Sequence, residues 1–140
     1  EKIQNSGVLA SLTQVVKSGD PKIQLKAVDV IRNIVAAARA DPKLVRVVVD
    51  ELVQMVQGTS SEHRLRALIA LRSMARTHEN QRILVSAGVV VLAVEIASSD
   101  GDKRIRGQAL GLLYNVIGFT SVAPLEVEEE DEFSDEEGDE

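Results

Sequence analysis

The chain contains no cysteine and no tryptophan, and its aromatic side chains are one tyrosine and two phenylalanines in 140 residues. Without Cys there is no disulfide scaffold, no Cys-based zinc site and no thiol nucleophile, and nothing signals an oxidising compartment. No apolar run reaches the about 18 residues of a membrane span. No secretory leader is visible; the chain begins at Glu1 rather than Met, which is consistent with further sequence upstream. Catalytic patterns are absent too. There is no G-x-S-x-G and no Cys/His pair, and "SSDGDKR" (98–104) lacks the phosphate-loop pattern. His63 and His78 have no Asp, Glu or His at metal-ligand spacing. These gaps describe a soluble intracellular chain, cytoplasmic or nuclear, that is not an enzyme and needs no metal or cofactor.

What is present is charge, and it is segregated. The formal net charge is −6. Residues 126–140, "EVEEEDEFSDEEGDE", hold 11 acids and no base, which leaves 16 Lys+Arg against 11 acids in the preceding 125 residues. A body of +5 thus carries a tail of −11, an arrangement that suggests two electrostatic roles. Residues 126–140 have too little apolar surface to offset the entropy of ordering, so disorder is expected there, with "TSVAP" (120–124) as the exit linker and 120–140 forming linker and tail together.

The body repeats. "KIQLKAVDVIRNIV" (22–35), "EHRLRALIALRSMA" (62–75) and "RIRGQALGLLYNVI" (104–117) align at Ala27/Ala67/Ala109, Ile31/Leu71/Leu113 and Ile34/Met74/Val116. On a helical wheel Ile23, Ala27, Val30, Ile31 and Ile34 fall in a stripe about 100° wide. Asp20–Pro21, Ser60/Ser61 and Asp102 offer helix starts. Shorter helices are expected at 7–16, 48–57 and 88–97, and further short ones at 40–49 (capped by Asp41–Pro42) and 78–88. "GVVVLAVEI" alone could be a strand, but its place in the repeat predicts helix. Units of about 40 residues that cannot bury their apolar faces alone must stack.

The stretch "NQRILVSAGVVVLAVEIASSDGDKRIRGQALGLLYNVIG" resembles an armadillo repeat, through Gly88, Ala109, Leu113, Asn115 and Val116. "SGVLASLTQVVKSGDPKIQLKAVDVIRNIV" is similar through Gly7, Ala27, Ile31, Asn33 and Ile34, while the middle repeat lacks the Gly and has Ser73 in place of Asn. HEAT repeats are the nearest alternative. The resemblance implies an all-α fold: a right-handed α-solenoid of armadillo-like three-helix repeats over 1–119 (about 1–40, 41–80 and 81–119), followed by the disordered acidic tail. It also implies that third helices line a concave groove for an extended peptide, with Asn33 and Asn115 holding the peptide backbone. Asn that merely bridges neighbouring helices remains the alternative.

Wheel geometry defines that groove independently. Residues 22, 26, 29 and 33 lie within about 60° of one another, beside the apolar stripe. They are Lys22, Lys26, Asp29 and Asn33; the equivalent sets are Glu62, Arg66, Ile69 and Ser73, with Arg76 one turn on, and Arg104, Gln108, Gly111 and Asn115. Five bases against two acids predict an acidic or mixed-charge protein ligand, although a solvated helix face would carry similar charges. Importin-alpha grooves place Trp four residues before the Asn; here those positions are Asp29, Ile69 and Gly111, so stacking pockets for basic peptides are missing. Nucleic acid is disfavoured by the scarcity of aromatics and by the acidic tail.

The tail offers a second reading. Phe133 amid dense acid resembles the acidic–aromatic segments of histone chaperones, which shield a basic histone-like or ribosomal partner. A solubilising arm would look the same. The tail could also fold back on the groove, and Ser134 before Asp-Glu-Glu suits an acidophilic kinase. The function expected is a non-catalytic protein-interaction module, with a chaperone or assembly factor as the alternative and an Hsp70-cochaperone-type armadillo protein as a further one.

Overall fold

The computed structural model describes the backbone of residues 2–18, 20–37 and 41–118 and the side chains of residues 7–17, 20–35 and 41–117. These residues form seven helices: α1 (Lys2–Ser18), α2 (Pro21–Ala37), α3 (Pro42–Val56), α4 (Ser61–Met74), α5 (His78–Ser86), α6 (Val89–Ser99) and α7 (Lys103–Leu113). The last turn of α7 widens into a π turn, Tyr114–Gly118. No strand occurs among the described residues. The segment "GVVVLAVEI" is helical, as its place in the repeat predicts. The acidic tail, including Phe133 and Ser134, lies outside the described residues.

Side chains fix where the helices start. Asp20 Oδ1 accepts from Lys22 N at 2.8 Å and Asp41 Oδ1 from Lys43 N at 3.1 Å, each just before a proline pre-set for the first turn. Ser60 Oγ caps His63 N, Thr77 Oγ1 caps Asn80 N, and Asp102 Oδ1 caps Arg104 N. Of the two serines offered by the sequence, Ser60 is the cap and Ser61 the first helical residue.

The helices pack in two rows. In one, α2 touches α4 and α4 touches α7; in the other, α1 touches α3, α3 touches α5 and α5 touches α6. The rows meet through α1–α2, α3–α4 and α6–α7. Between them lies one apolar core containing Leu9, Val28, Ile31, Val49, Leu52, Leu68, Leu71, Leu84, Ile105 and Leu112. Each such side chain contributes roughly 1.5–3 kcal/mol by leaving water.

The expected three-helix unit forms only once. Residues 40–49 and 48–57 were expected as separate helices, but α3 runs unbroken from Pro42 to Val56. Likewise Gly7 lies inside α1 rather than at a helix end. Only Gly88 breaks a helix in the expected way. It adopts φ +83°, a conformation costly for a residue with a β-carbon, and α5 and α6 diverge there by 78°. The middle repeat has no glycine at this place, so nothing interrupts its hydrogen-bond ladder.

The buried stripe of α2 is also rotated from the expected one. Ala27 and Ile31 are buried as expected, but Ile23 is 53% and Val30 44% exposed, while Val28 and Val35 go inward. The equivalents of Ile23 and Val30 in α7, Ile105 and Leu112, are fully buried. The difference follows from position. Those sites face the preceding helix of the row, and no described helix precedes α2 in it.

Candidate functional site

Apart from Arg76, in the turn just after α4, and Asn115, in the π turn that follows α7, the positions expected to form a groove lie on α2, α4 and α7, the three helices of one row, and much of their charge is already matched within the row. Arg66 Nη1 donates to Asp29 Oδ2 at 2.8 Å, joining α4 to α2. Arg104 on α7 approaches Glu62 on α4 at 3.6 Å and holds its own cap residue Asp102 at 2.9 Å. That guanidinium draws the Asp102 carboxyl down to about 2, and the carboxylate in turn raises Arg104. No described carboxylate pairs with Lys22, Lys26 or Arg76, which are exposed. The positive character of the face therefore rests on these three bases rather than on all five.

Asn33 is exposed on α2, and Ile69 and Ser73 are half-buried on α4. Asn115 behaves differently. Its Nδ2 donates to the Arg72 carbonyl at 3.3 Å, so it bridges α7 to α4, the structural role left open by the sequence. Its side-chain oxygen has no bond in that contact and keeps acceptor capacity.

Arg72 is a site residue that the groove positions missed. Its Nη1 donates to Gln108 Oε1 at 3.1 Å, and its guanidinium lies over Gly111, where a β-carbon would collide with it. Gly111 is thus the gap that seats an arginine from the neighbouring helix. No single-helix wheel reveals this, because Arg72 comes from the adjacent repeat.

A second set was legible but unread. Gln24, Arg64 and Arg106 share one repeat position, and each binds the carbonyl end of the preceding helix. Gln24 Nε2 donates to Val16 O at 2.6 Å, Arg64 Nε to Val56 O at 2.9 Å, and Arg106 Nη1 to Asp100 O at 2.8 Å. Two of them also reach the next repeat. Gln24 Oε1 lies 3.0 Å from His63 Nε2, and Arg64 Nη2 bonds Asp100 Oδ2. The Arg64 hydrogen bond holds the Asp100 carboxyl below its ordinary range. These contacts satisfy helix-end carbonyls that would otherwise be orphaned and fix the register between repeats.

Among the described residues no cluster of three or more His, Asp or Glu is placed to hold a metal, and no single helix is long and apolar enough to cross a membrane. The face carries hydrogen-bond groups and three cations with which no described carboxylate pairs. It can bind charge and backbone amides. No family model matches the chain, and neither a curated protein nor a solved structure matches it significantly.

Proposed function

We propose that the chain is an armadillo-like solenoid and a non-catalytic interaction module whose α2/α4/α7 face binds an extended acidic or mixed-charge segment of a protein. The carrying observation is that three repeat-equivalent helices lie side by side, with Lys22 and Lys26 exposed on α2 and Arg76 exposed in the turn just after α4, none of them paired with a described carboxylate. Asn33, Gln108 and Asn115 on the same helices supply groups that can bond a peptide backbone. The chain's own residues 126–140 are one segment of suitable charge, tethered nearby at high effective concentration.

One observation favours the HEAT-like alternative for the fold: the first two units hold two helices each, α1–α2 and α3–α4, the two-helix form of such repeats. The binding face is the same in either case.

The test is anisotropy of a labelled peptide, EVEEEDEFSDEEGDE, titrated with the full chain. Glu128, Glu129 and Glu130 of the chain are first changed to Gln so that its own tail competes less. Binding should be lost in Lys26→Glu/Arg76→Glu with the melting temperature nearly unchanged, as exposed substitutions usually leave it. Undiminished binding by that variant would rule this face out.

A further inference from the structure

Both ends of the helix rows expose apolar side chains at positions that the interior of the rows buries. At the first end these are Ile23 and Val30 of α2, whose equivalents in α7 are fully buried. The helix beside it follows the same pattern. Matching the buried Leu9 and Val16 of α1 with Val49 and Val56 of α3 sets Val8, 48% exposed, against Val48, 1% exposed. Half-buried Leu12 and Val15 continue the Val8 flank of α1, since residues three and four apart share a helix face.

At the last end, Leu110 of α7 is 56% exposed, whereas Val28 and Leu68 at its position in α2 and α4 are 0% exposed. The α6 helix adds a second apolar strip. Val89 and Ile96 match Val49 and Val56 in burial, which sets Val90, Val94 and Ala97 where α3 carries Asp50, Gln54 and Gln57 and α1 carries Ala10, Gln14 and Lys17. That flank points toward the next unit, because Lys17 reaches forward to Glu51 of α3 at 3.7 Å. It is polar along α3 and apolar on α6. No described helix precedes α2 or lies beyond α7 in its row.

We propose that the two ends bind each other, so that copies of this chain stack head to tail and the rows run on from one copy into the next. The repeat itself identifies the partner. Ile23 and Val30 stand where Ile105 and Leu112 pack on the preceding helix, and Leu110 stands where Leu68 receives the following one. The two faces are therefore the halves of a contact that the chain already makes twice, at α2–α4 and at α4–α7. Solenoid ends that stand alone in water need polar outer faces, and these two carry Val8, Ile23 and Val30 at one end and Val94 and Leu110 at the other. Such a contact is heterologous and does not stop at a dimer unless its rotation closes a ring. Charge sets its salt dependence. Within the chain Arg104 approaches Glu62 at the same repeat position; between copies that position brings Lys22 to Arg104, two like charges. Salt should strengthen the stacking by screening them. The inference does not depend on the binding face proposed above.

Sedimentation equilibrium of the full chain tests it. The weight-average mass should rise with concentration past twice the 15.2 kDa of one chain, and rise further at about 0.5 M salt. Ile23→Lys/Val30→Lys blocks one end and Val94→Lys/Leu110→Lys the other. Each variant alone should stay monomeric, with a melting temperature nearly unchanged, as exposed sites usually allow. Mixed in equal amounts, the two should form a heterodimer and nothing larger, because each supplies the end that the other lacks. A wild-type chain that stays monomeric throughout would overturn the proposal. So would a dimer that either variant abolishes and mixing does not restore, the mark of a symmetric contact. Association that salt dissolves and that both end variants retain would overturn it as well, because it would assign the contact to the acidic residues of one copy on the basic body of another.

Discussion

Arg66 on α4 and Asp29 on α2 form a 2.8 Å ion pair across two adjacent helices of the row. Both were expected to face a ligand, yet they face each other. Charge reversal at Arg66 alone therefore tests helix docking as much as ligand binding. Arg66→Glu should cost about 0–1 kcal/mol, the range of exposed pairs, and Asp29→Lys combined with Arg66→Glu should recover most of it. Urea denaturation of the two single variants and the double variant checks this; strictly additive losses would show that the pair is not coupled.

The Arg64–Asp100 contact is more enclosed, with side chains 21% and 11% exposed, and it should dominate the acid sensitivity of the α3–α4–α7 junction. Arg64 lowers the folded-state pKa of Asp100 below its ordinary 3.8. Its contribution is therefore fully present above that ordinary value and is lost as pH falls through the lowered one. Asp100→Asn should lose about 1–3 kcal/mol at neutral pH, as expected for leaving one partner of a charged hydrogen bond unsatisfied. The gap between variant and wild type should narrow steadily below about pH 4. A gap that is constant from neutral to strongly acidic pH would contradict the assignment.

Gly88 and Gly107 should respond oppositely to alanine. Gly88 holds φ +83° between α5 and α6, so Gly88→Ala should lose about 1–2 kcal/mol. Gly107 is exposed inside α7, and nothing lies within 4 Å of an added β-carbon. Gly107→Ala should therefore gain about 0.5–1 kcal/mol of helix stability. Thermal melts of the two variants should move in opposite directions; a shared direction would contradict the role given to Gly88.

Leu68 sits at the repeat position that packs one helix of the row on the next, and it is fully buried. Leu68→Ala should lose about 2–5 kcal/mol, whereas Leu110→Ala, at the equivalent position of α7, should lose clearly less. Equal losses would mean that Leu110 is as enclosed as Leu68.

The sequence made the helices and their recurrence readable because Ala27, Ala67 and Ala109 repeat with the same apolar neighbours and because Asp20, Asp41, Ser60 and Asp102 are strong caps. It did not show that α3 would be continuous, since the sharp break at Gly88 rests on a positive φ that no other described residue adopts, and the middle repeat has no glycine at that place. Ile23 and Val30 looked buried because a wheel treats every repeat as internal. Their exposure depends on what lies beyond α2. Within the candidate site, exposed Lys26 and Asn33 were readable from one helix alone. The Arg72–Gly111 contact and the Asn115 bridge were not, because each joins two repeats. The carbonyl clamps Gln24, Arg64 and Arg106 could have been found by reading polar positions, and not only apolar ones, in the repeat register.

The most direct test of the binding face uses the absence of native cysteine. Ser134→Cys gives a single attachment site for a nitroxide label in the acidic segment, and amide broadening then maps where that segment resides. At low salt broadening should be concentrated on residues 22–33, 62–76 and 104–115 and be reduced at about 0.5 M salt as the charges are screened. That broadening should be lost in the Lys26→Glu/Arg76→Glu background. Broadening that is absent, or that falls mainly on α1, α3 and α6, would contradict the claim that the α2/α4/α7 face receives acidic segments.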